Sequence, residues 1–315
     1  MTTPVEAVSP RRRPLGGVAA AVVSLRPNQW TKNLVVFAAL GFSKHLFETG
    51  PLLRGFLAFA LFCGLSGTVY LVNDLADVGR DRLHPVKRRR PIASGALSQR
   101  AAALLAGVLG PVCFGLALLL GWRFAACVLV YLTLNLLYSF RLKEVVIVDV
   151  LCVSAGFVLR AVAGGLAIGV QVSDWLLICT ILLSLFLTLA KRRHELTTLN
   201  TSAAGHRKIL TEYSPYLLDQ MIGVVTASCL TAYAVYTTAA ETREKFRTDR
   251  LAWTIPFVLY GIFRYLYLVH QKEEGGSPSD VLLTDRPLLM AVALWAAAVV
   301  AIVYTASGAP MPIGR

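Results

Sequence analysis

TVYLVNDLADVGRDRLHPVKRRRPIASG, residues 68–95, enters as an apolar helix and leaves as a basic loop. Asn73, Asp74, Asp77 and Asp81 fall at offsets of 0, 1, 4 and 8, so at about 100° per residue all four share one helical stripe. An aspartate at the centre of a spanning helix costs about 2.5 to 3.5 kcal/mol, so several at one helix end call for a cation or a water-filled cavity. The donors are hard oxygens without His or Cys, which suits Mg²⁺ completed by water and substrate phosphate. The plainer reading is a solvated helix end. Arg82, His84, Lys87, Arg88, Arg89 and Arg90 then follow, more positive charge than three carboxylates need. A place that holds both a metal and a polyanion would need both signs.

In the loop, Pro85 and Pro91 stiffen the backbone, and Ser94 with Gly95 shapes a turn before the next helix. Lys87 and Arg90 are the candidates for phosphate, one as a point charge and the other as a bidentate fork. Arg88 and Arg89 read equally as a topology signal or a contact to anionic lipid. His84 reads as a hydrogen-bonding loop residue.

The rest of the chain is greasy. Of 315 residues 56% are hydrophobic and 16% charged; mean hydropathy is +0.62. These values define an integral membrane protein, and with no strand pattern evident its fold class reads as all-α. About nine apolar segments are expected, near 30–47, 52–75, 97–120, 122–140, 145–168, 173–192, 214–239, 251–270 and 287–306, each close to the ~20 residues that cross a bilayer. Residues 1–14 read as a disordered arm and 15–315 as one helical domain, opening with an interfacial helix over 15–29. No cleavable signal peptide is evident.

The net charge of +13 does not imply nucleic acid here, because cytoplasmic loops of membrane proteins collect Lys and Arg. With the N-terminus in the cytoplasm, loops near 76–96, 141–144, 191–213 and 271–286 share the basic side, facing Lys44, Arg54 and Arg123 on the other. The 240–250 loop, with Arg243, Lys245, Arg247 and Arg250, is the blemish in that count. Cys63, Cys113, Cys127, Cys152, Cys179 and Cys229 lie singly in apolar runs and read as small core residues.

A second polar cluster closes the sixth segment: Lys191, Arg192, Arg193, His194 and Glu195. Lys191 and Glu195 share a face, so an intrahelical ion pair and a second grip on an anion are both open. Tyr138, Arg141 and Lys143 lie between the clusters. Asp149 and Arg160 fall within the fifth segment, about 16 Å apart along a helix, and so do not pair with each other. Arg160 is either an inner anion contact or a structural tie. Trp30 reads as a membrane anchor, while Lys32 and Asn33 could reach the cavity. Gly64, Gly67, Ala155, Gly156, Gly164, Gly165 and Gly169 read as close-packing positions. GGSPSDVLLTDRPLL, holding Asp285 and Arg286, predicts an ordered loop before the last helix.

NDxxDxxxD followed by a basic loop and RPIASG, at the end of the second of about nine helices, resembles the UbiA superfamily of intramembrane prenyltransferases over residues 20–306. The resemblance implies a helical bundle around a cytoplasm-facing cavity in the bacterial inner membrane, with lateral access for a lipid. Asn73, Asp77 and Asp81 would bind the metal, with Asp74, Asp77 and Asp81 as the catalytic acids. The second motif departs from the family: where prenyl-diphosphate users carry two aspartates four apart, this chain has Lys191 and Glu195. RPxQWxKN, KRRHEL and the late SPSD loop are similar to the branch that transfers phosphoribose from 5-phosphoribosyl diphosphate to polyprenyl phosphate, a step toward cell-wall arabinan. That likeness implies a Mg²⁺-dependent glycosyltransferase with Lys32, Arg82, Lys87, Arg90, Tyr138, Arg141, Lys143, Arg160, Lys191, Arg192 and Glu195 around the substrates. A prenyltransferase with an aromatic or haem acceptor is the alternative, and a transporter or lipid-binding scaffold the third. A homo-oligomer stays open.

Overall fold

The computed structural model describes residues 16–199, 208–272 and 276–306. The arm expected over 1–14 and the basic Arg207 lie outside the described residues. All regular structure among them is helical, and eight helices are long and apolar enough to cross a membrane.

α1 (Gly17–Ser24) buries Ala20 and Ser24 and turns Val18, Val22 and Val23 outward, as an interfacial helix should. Arg26 then adopts a left-handed backbone, φ 54°. The first expected crossing, 30–47, is a composite of a 3₁₀ helix, Pro27–Phe37, and α2 (Ala38–Phe42). Eleven residues at about 2 Å each and five at about 1.5 Å reach some 30 Å, the apolar thickness of a bilayer. Asn28, Trp30, Thr31, Asn33, Val35 and Val36 are middling helix formers, so packing sets the conformation. That packing is close: a Cβ built on Gly164 would run into the Val36 carbonyl oxygen. Gly164→Ala should therefore lower stability by about 1–3 kcal/mol, read as a fall in thermal unfolding temperature in detergent; an unchanged melting curve would contradict the contact.

α3 (Thr49–Ala76) has 28 residues, about 42 Å at ~1.5 Å each, and so projects its last turns beyond the hydrocarbon. Asp77 ends it and α4 (Val78–Leu83) begins at once. The amide of Asp77 donates to Asn73 and that of Asp81 to Asp77, both at 2.9 Å, so the helical register of the stripe survives the break. α5 (Pro91–Ser94) starts on Pro91 and stops at Gly95, whose φ of 83° favours glycine. α6 (Gln99–Ala117) is capped by the Ser98 hydroxyl. α7 (Trp122–Phe140), α8 (Val148–Ile168) and α9 (Asp174–Leu199) follow.

The second half holds α10 (Pro215–Thr238), the short α11 (Ala240–Phe246) and α12 (Ile255–Gln271). It closes with α13 (Pro278–Thr284) and α14 (Arg286–Thr305). Asp285 caps α14 through the Leu288 amide and also accepts two hydrogen bonds from Arg264, which hold its carboxyl below the usual range. The loop expected to be ordered is a helix and a cap.

Two apolar clusters share α8. One packs Phe62, Phe124 and Tyr131 with Ala163 and Ala167; the other packs Val150 with Phe186, Leu218 and Tyr265. Lys44 donates to the Ala306 carbonyl and lies within electrostatic reach of Arg247, which puts the 43–48 turn, the 240–250 loop and the end of α14 at one end of the bundle. The acidic stripe and the remaining basic loops gather at the other, so the helix count that placed the 240–250 loop opposite them holds.

A candidate active site at the basic end of the bundle

The acidic half of the site is built by the α3–α4 junction. Asp74 and Asp81 are both about 3% exposed, and one nitrogen, Nη1 of Arg90, bridges them at 3.0 and 2.6 Å. Arg26 adds a 2.6 Å bond to Asp74 while its guanidinium lies over the Tyr70 ring at 4.6 Å. These two carboxylates clamp the loop after α4 and the turn before the 3₁₀ helix onto α3. Asp77 differs: it is partly exposed, with Lys143 at 3.6 Å and Arg80 at 3.9 Å. The Asn73 amide makes no side-chain hydrogen bond among the described residues.

Several of the residues expected at the site are engaged by other side chains in this arrangement. Arg90 faces inward as the partner of two acids, because a buried carboxylate needs a cation more than a solvated loop does. Arg82 is exposed and donates to the Ala93 carbonyl at 3.4 Å. Asp81, expected as a metal ligand, and Asp74, expected to be catalytic, are engaged by arginines. Among the described residues no three Asp, Glu, His or Cys side chains converge as a metal-holding group. One open carboxylate and one amide oxygen nevertheless suit Mg²⁺, which takes one or two carboxylates and fills the rest of its shell with water and substrate phosphate. His84 is the loop residue expected of it: Nδ1 accepts from the amides of Val86 and Lys87 at 3.2 and 3.3 Å. Lys87 is half-buried, and Arg88 and Arg89 are exposed.

The basic half is carried by the end of α9. Lys191 and Glu195 form the intrahelical pair at 3.8 Å. Arg192 is buried: Nε donates to Asp149 Oδ2 at 2.9 Å, Nη1 to Glu195 Oε2 at 2.6 Å and Nη2 to the Tyr138 hydroxyl at 3.2 Å. Asp149, fully buried, also accepts from the Tyr213 hydroxyl at 2.8 Å, and that oxygen accepts from the Ile147 amide at 2.8 Å. Burial, together with the bond to Asp149, pushes the Tyr213 hydroxyl up to about 12, so it stays a donor. Ile147 has φ 68°, a conformation a β-branched residue adopts only when its surroundings impose it. Arg192 and Tyr138, expected at the substrate, are thus parts of a strut joining α7, α8, α9 and the segment before α10.

Arg160 is likewise a structural tie. It donates to Asn33 Oδ1 at 2.8 Å, Tyr131 at 2.7 Å and the Gly156 carbonyl at 2.8 Å, with its guanidinium 4.8 Å from the Tyr131 ring centroid. The Trp30 indole N–H is buried without a hydrogen-bond partner among the described residues, unlike the interfacial anchor expected. Arg141 is exposed. Lys32 is partly buried, makes no ion pair among the described residues, and lies within electrostatic reach of Lys191, Arg160, Arg26 and Asp280. Arg26, Tyr131 and Tyr213 were not singled out as site residues from sequence. Arg26 could have been paired with Asp74 by charge, whereas nothing about an isolated tyrosine marks it.

A bundle of membrane-spanning helices that gathers at its basic end a partly exposed Asp77, paired with Lys143, and a neighbouring group of Lys32 and Lys191 defines an intramembrane protein with a charged site at one end. The sequence matches the UbiA prenyltransferase family over residues 33–279, and the chain belongs to that family. It is 34% identical over 311 residues to decaprenyl-phosphate phosphoribosyltransferase of Corynebacterium glutamicum, covering 96% of this chain and 92% of that one. The enzyme of the same name from Mycobacterium tuberculosis is 36% identical over 291 residues, covering 91% and 95%. Among solved structures, a UbiA homolog from Archaeoglobus fulgidus bound to GPP and Mg²⁺ superposes with a TM-score of 0.70 at 20% identity, covering 90% of this chain and 99% of that one. At that identity the likeness concerns the fold.

Proposed function

We propose that this chain is a Mg²⁺-dependent phosphoribosyltransferase that moves 5-phosphoribose from 5-phosphoribosyl diphosphate to a polyprenyl phosphate, releasing diphosphate. The observation that carries the reading is the asymmetry of the site. Asp77 and Asn73 stand on one side with Lys143 beside them, while Lys191 takes the place of one acid of the second motif and Lys32 lies within electrostatic reach of it. A donor with a 5-phosphate as well as a diphosphate, and an acceptor that is itself a phosphate, need that excess of cations. The curated relatives bear the name of this activity.

Asn73 and Asp77 would hold the divalent ion, which when bound neutralises the diphosphate as it departs. Lys143, beside Asp77, lies where it adds charge to the same leaving group. Lys32 and Lys191 take the other phosphates. The acceptor phosphate is anionic at neutral pH, so its oxygen forms the new bond to the anomeric carbon as the bond to diphosphate breaks, and no general base is required. Asp74 and Asp81, through Arg26 and Arg90, fix the walls of the site. The polyprenyl chain stays in the bilayer with its phosphate at the basic end, which faces the cytoplasm of the bacterial plasma membrane; the product is a precursor for cell-wall arabinan.

Purified protein is incubated with Mg²⁺ in two mixtures: 5-phosphoribosyl diphosphate with polyprenyl phosphate, and prenyl diphosphate with 4-hydroxybenzoate. Product in the first alone supports the reading. Product in the second alone makes the chain an aromatic prenyltransferase.

A further inference from the structure

Between the end of α9 and α13 lies a cleft of about 530 Å³, lined by His194, Ser277, Asp280, Val281, Thr284 and Asp285. Ser277, Asp280, Val281 and Thr284 recur at the three- and four-residue spacing of one face of α13, so the helix presents a single polar wall with one apolar side chain in it. Of the two carboxylates, Asp285 is taken by Arg264 and by the start of α14. The Asp280 carboxylate makes no hydrogen bond or ion pair among the described residues.

The cleft adjoins the basic half of the active site. His194 stands three residues after Lys191 on the same face of α9. On the other side, α13 packs against the 3₁₀ helix that carries Lys32. Lys32 in turn lies within electrostatic reach of both Lys191 and Asp280. Two cations and, next to them, a pocket of hydroxyls with one free carboxylate make a pattern for a ligand carrying phosphate at one point and vicinal hydroxyls beside it. A carboxylate that accepts from sugar hydroxyls is a recurrent way to hold ribose. An isoprenoid would leave the Asp280 carboxylate facing C–H bonds.

We propose that this cleft is a ribose subsite, in which Asp280 accepts hydrogen bonds from the sugar hydroxyls of the donor while Lys32 and Lys191 hold its phosphate. The proposal rests on the phosphoribosyl reading above and deepens it, by assigning to α13 the recognition of a sugar in place of a prenyl chain. Removing a hydroxyl that is hydrogen-bonded to a charged group lowers catalytic efficiency by about 10- to 100-fold.

The test compares 5-phosphoribosyl diphosphate with its 2-deoxy analogue, on wild-type protein and on Asp280→Ala, with polyprenyl phosphate and Mg²⁺. Wild type should favour the hydroxylated donor by about 10- to 100-fold in kcat/KM. Asp280→Ala should narrow that preference to about threefold or less, with KM for polyprenyl phosphate unchanged. Asp280→Asn provides the same readout should the alanine variant unfold. Wild-type discrimination retained in the variants, or absent from wild type, overturns the subsite while leaving phosphoribosyl transfer standing. Failure of wild type to transfer phosphoribose overturns both.

Discussion

Asp77→Ala should lower phosphoribosyl transfer by about a thousandfold or more, with thermal unfolding of the purified protein essentially unchanged. Both halves of this expectation follow from geometry. Asp77 is the one carboxylate of the stripe left partly open, held only by long contacts of 3.6 Å to Lys143 and 3.9 Å to Arg80. Solvent-screened pairs of this kind contribute about 0–1 kcal/mol, so their loss does not unfold the chain. The same openness leaves Asp77 free to take a metal–diphosphate complex. Asp77→Asn should retain a little of the activity, since it keeps one ligand oxygen and loses the charge. Turnover near wild type in Asp77→Ala, at saturating donor and Mg²⁺, would remove Asp77 from the site.

Arg192→Ala should behave in the opposite way, costing about 3–5 kcal/mol of stability because it leaves Asp149 charged and buried. Asp149 has no exposure to solvent, and without Arg192 its remaining side-chain donor is the Tyr213 hydroxyl. The strut also fixes Glu195, Tyr138 and the strained Ile147. Activity should therefore fall with folded protein, as measured by unfolding in detergent. A paired Asp149→Leu and Arg192→Met replacement should recover much of the loss, since an apolar pair of similar volume is often tolerated where a half-broken ion pair is not. An Arg192→Ala variant that melts with wild type yet binds donor poorly would make Arg192 a substrate contact after all.

The contrast between Asp77 and Arg192 shows where sequence reasoning reaches its limit. The stripe of Asn73, Asp74, Asp77 and Asp81 was legible because helical periodicity is a property of neighbours in the chain, and it persists through the break at Asp77. The spans were legible because bilayer thickness sets their length; that the first is mostly 3₁₀ was not, since that segment packs closely on Gly164, a contact between distant parts of the chain. Which acids are free and which are engaged was not legible. That depends on Arg26 meeting Asp74 across 48 residues and Arg192 meeting Asp149 across 43, distances over which periodicity carries nothing. Arg90 looked like an anion ligand because it lies in a stiffened basic loop, Arg192 because it lies in a second basic cluster, and Arg160, buried in a span, was open as an anion contact or a structural tie. Each proved to be neutralised or hydrogen-bonded by partners supplied from other helices. Lys32, Lys143 and Lys191 have no buried acid as partner, which is why the proposal gives the phosphates to them.

The central step is the transfer of a sugar phosphate with loss of diphosphate. It is tested most directly by one measurement with 5-phosphoribosyl diphosphate labelled both in the ribose carbons and in the diphosphate group. After incubation of purified wild-type protein with polyprenyl phosphate and Mg²⁺, the ribose label should pass into the organic phase as lipid. The diphosphate label should appear in water in equal amount, and Asp77→Ala should move neither. Ribose label that stays in water, or both labels entering the lipid together, would contradict it.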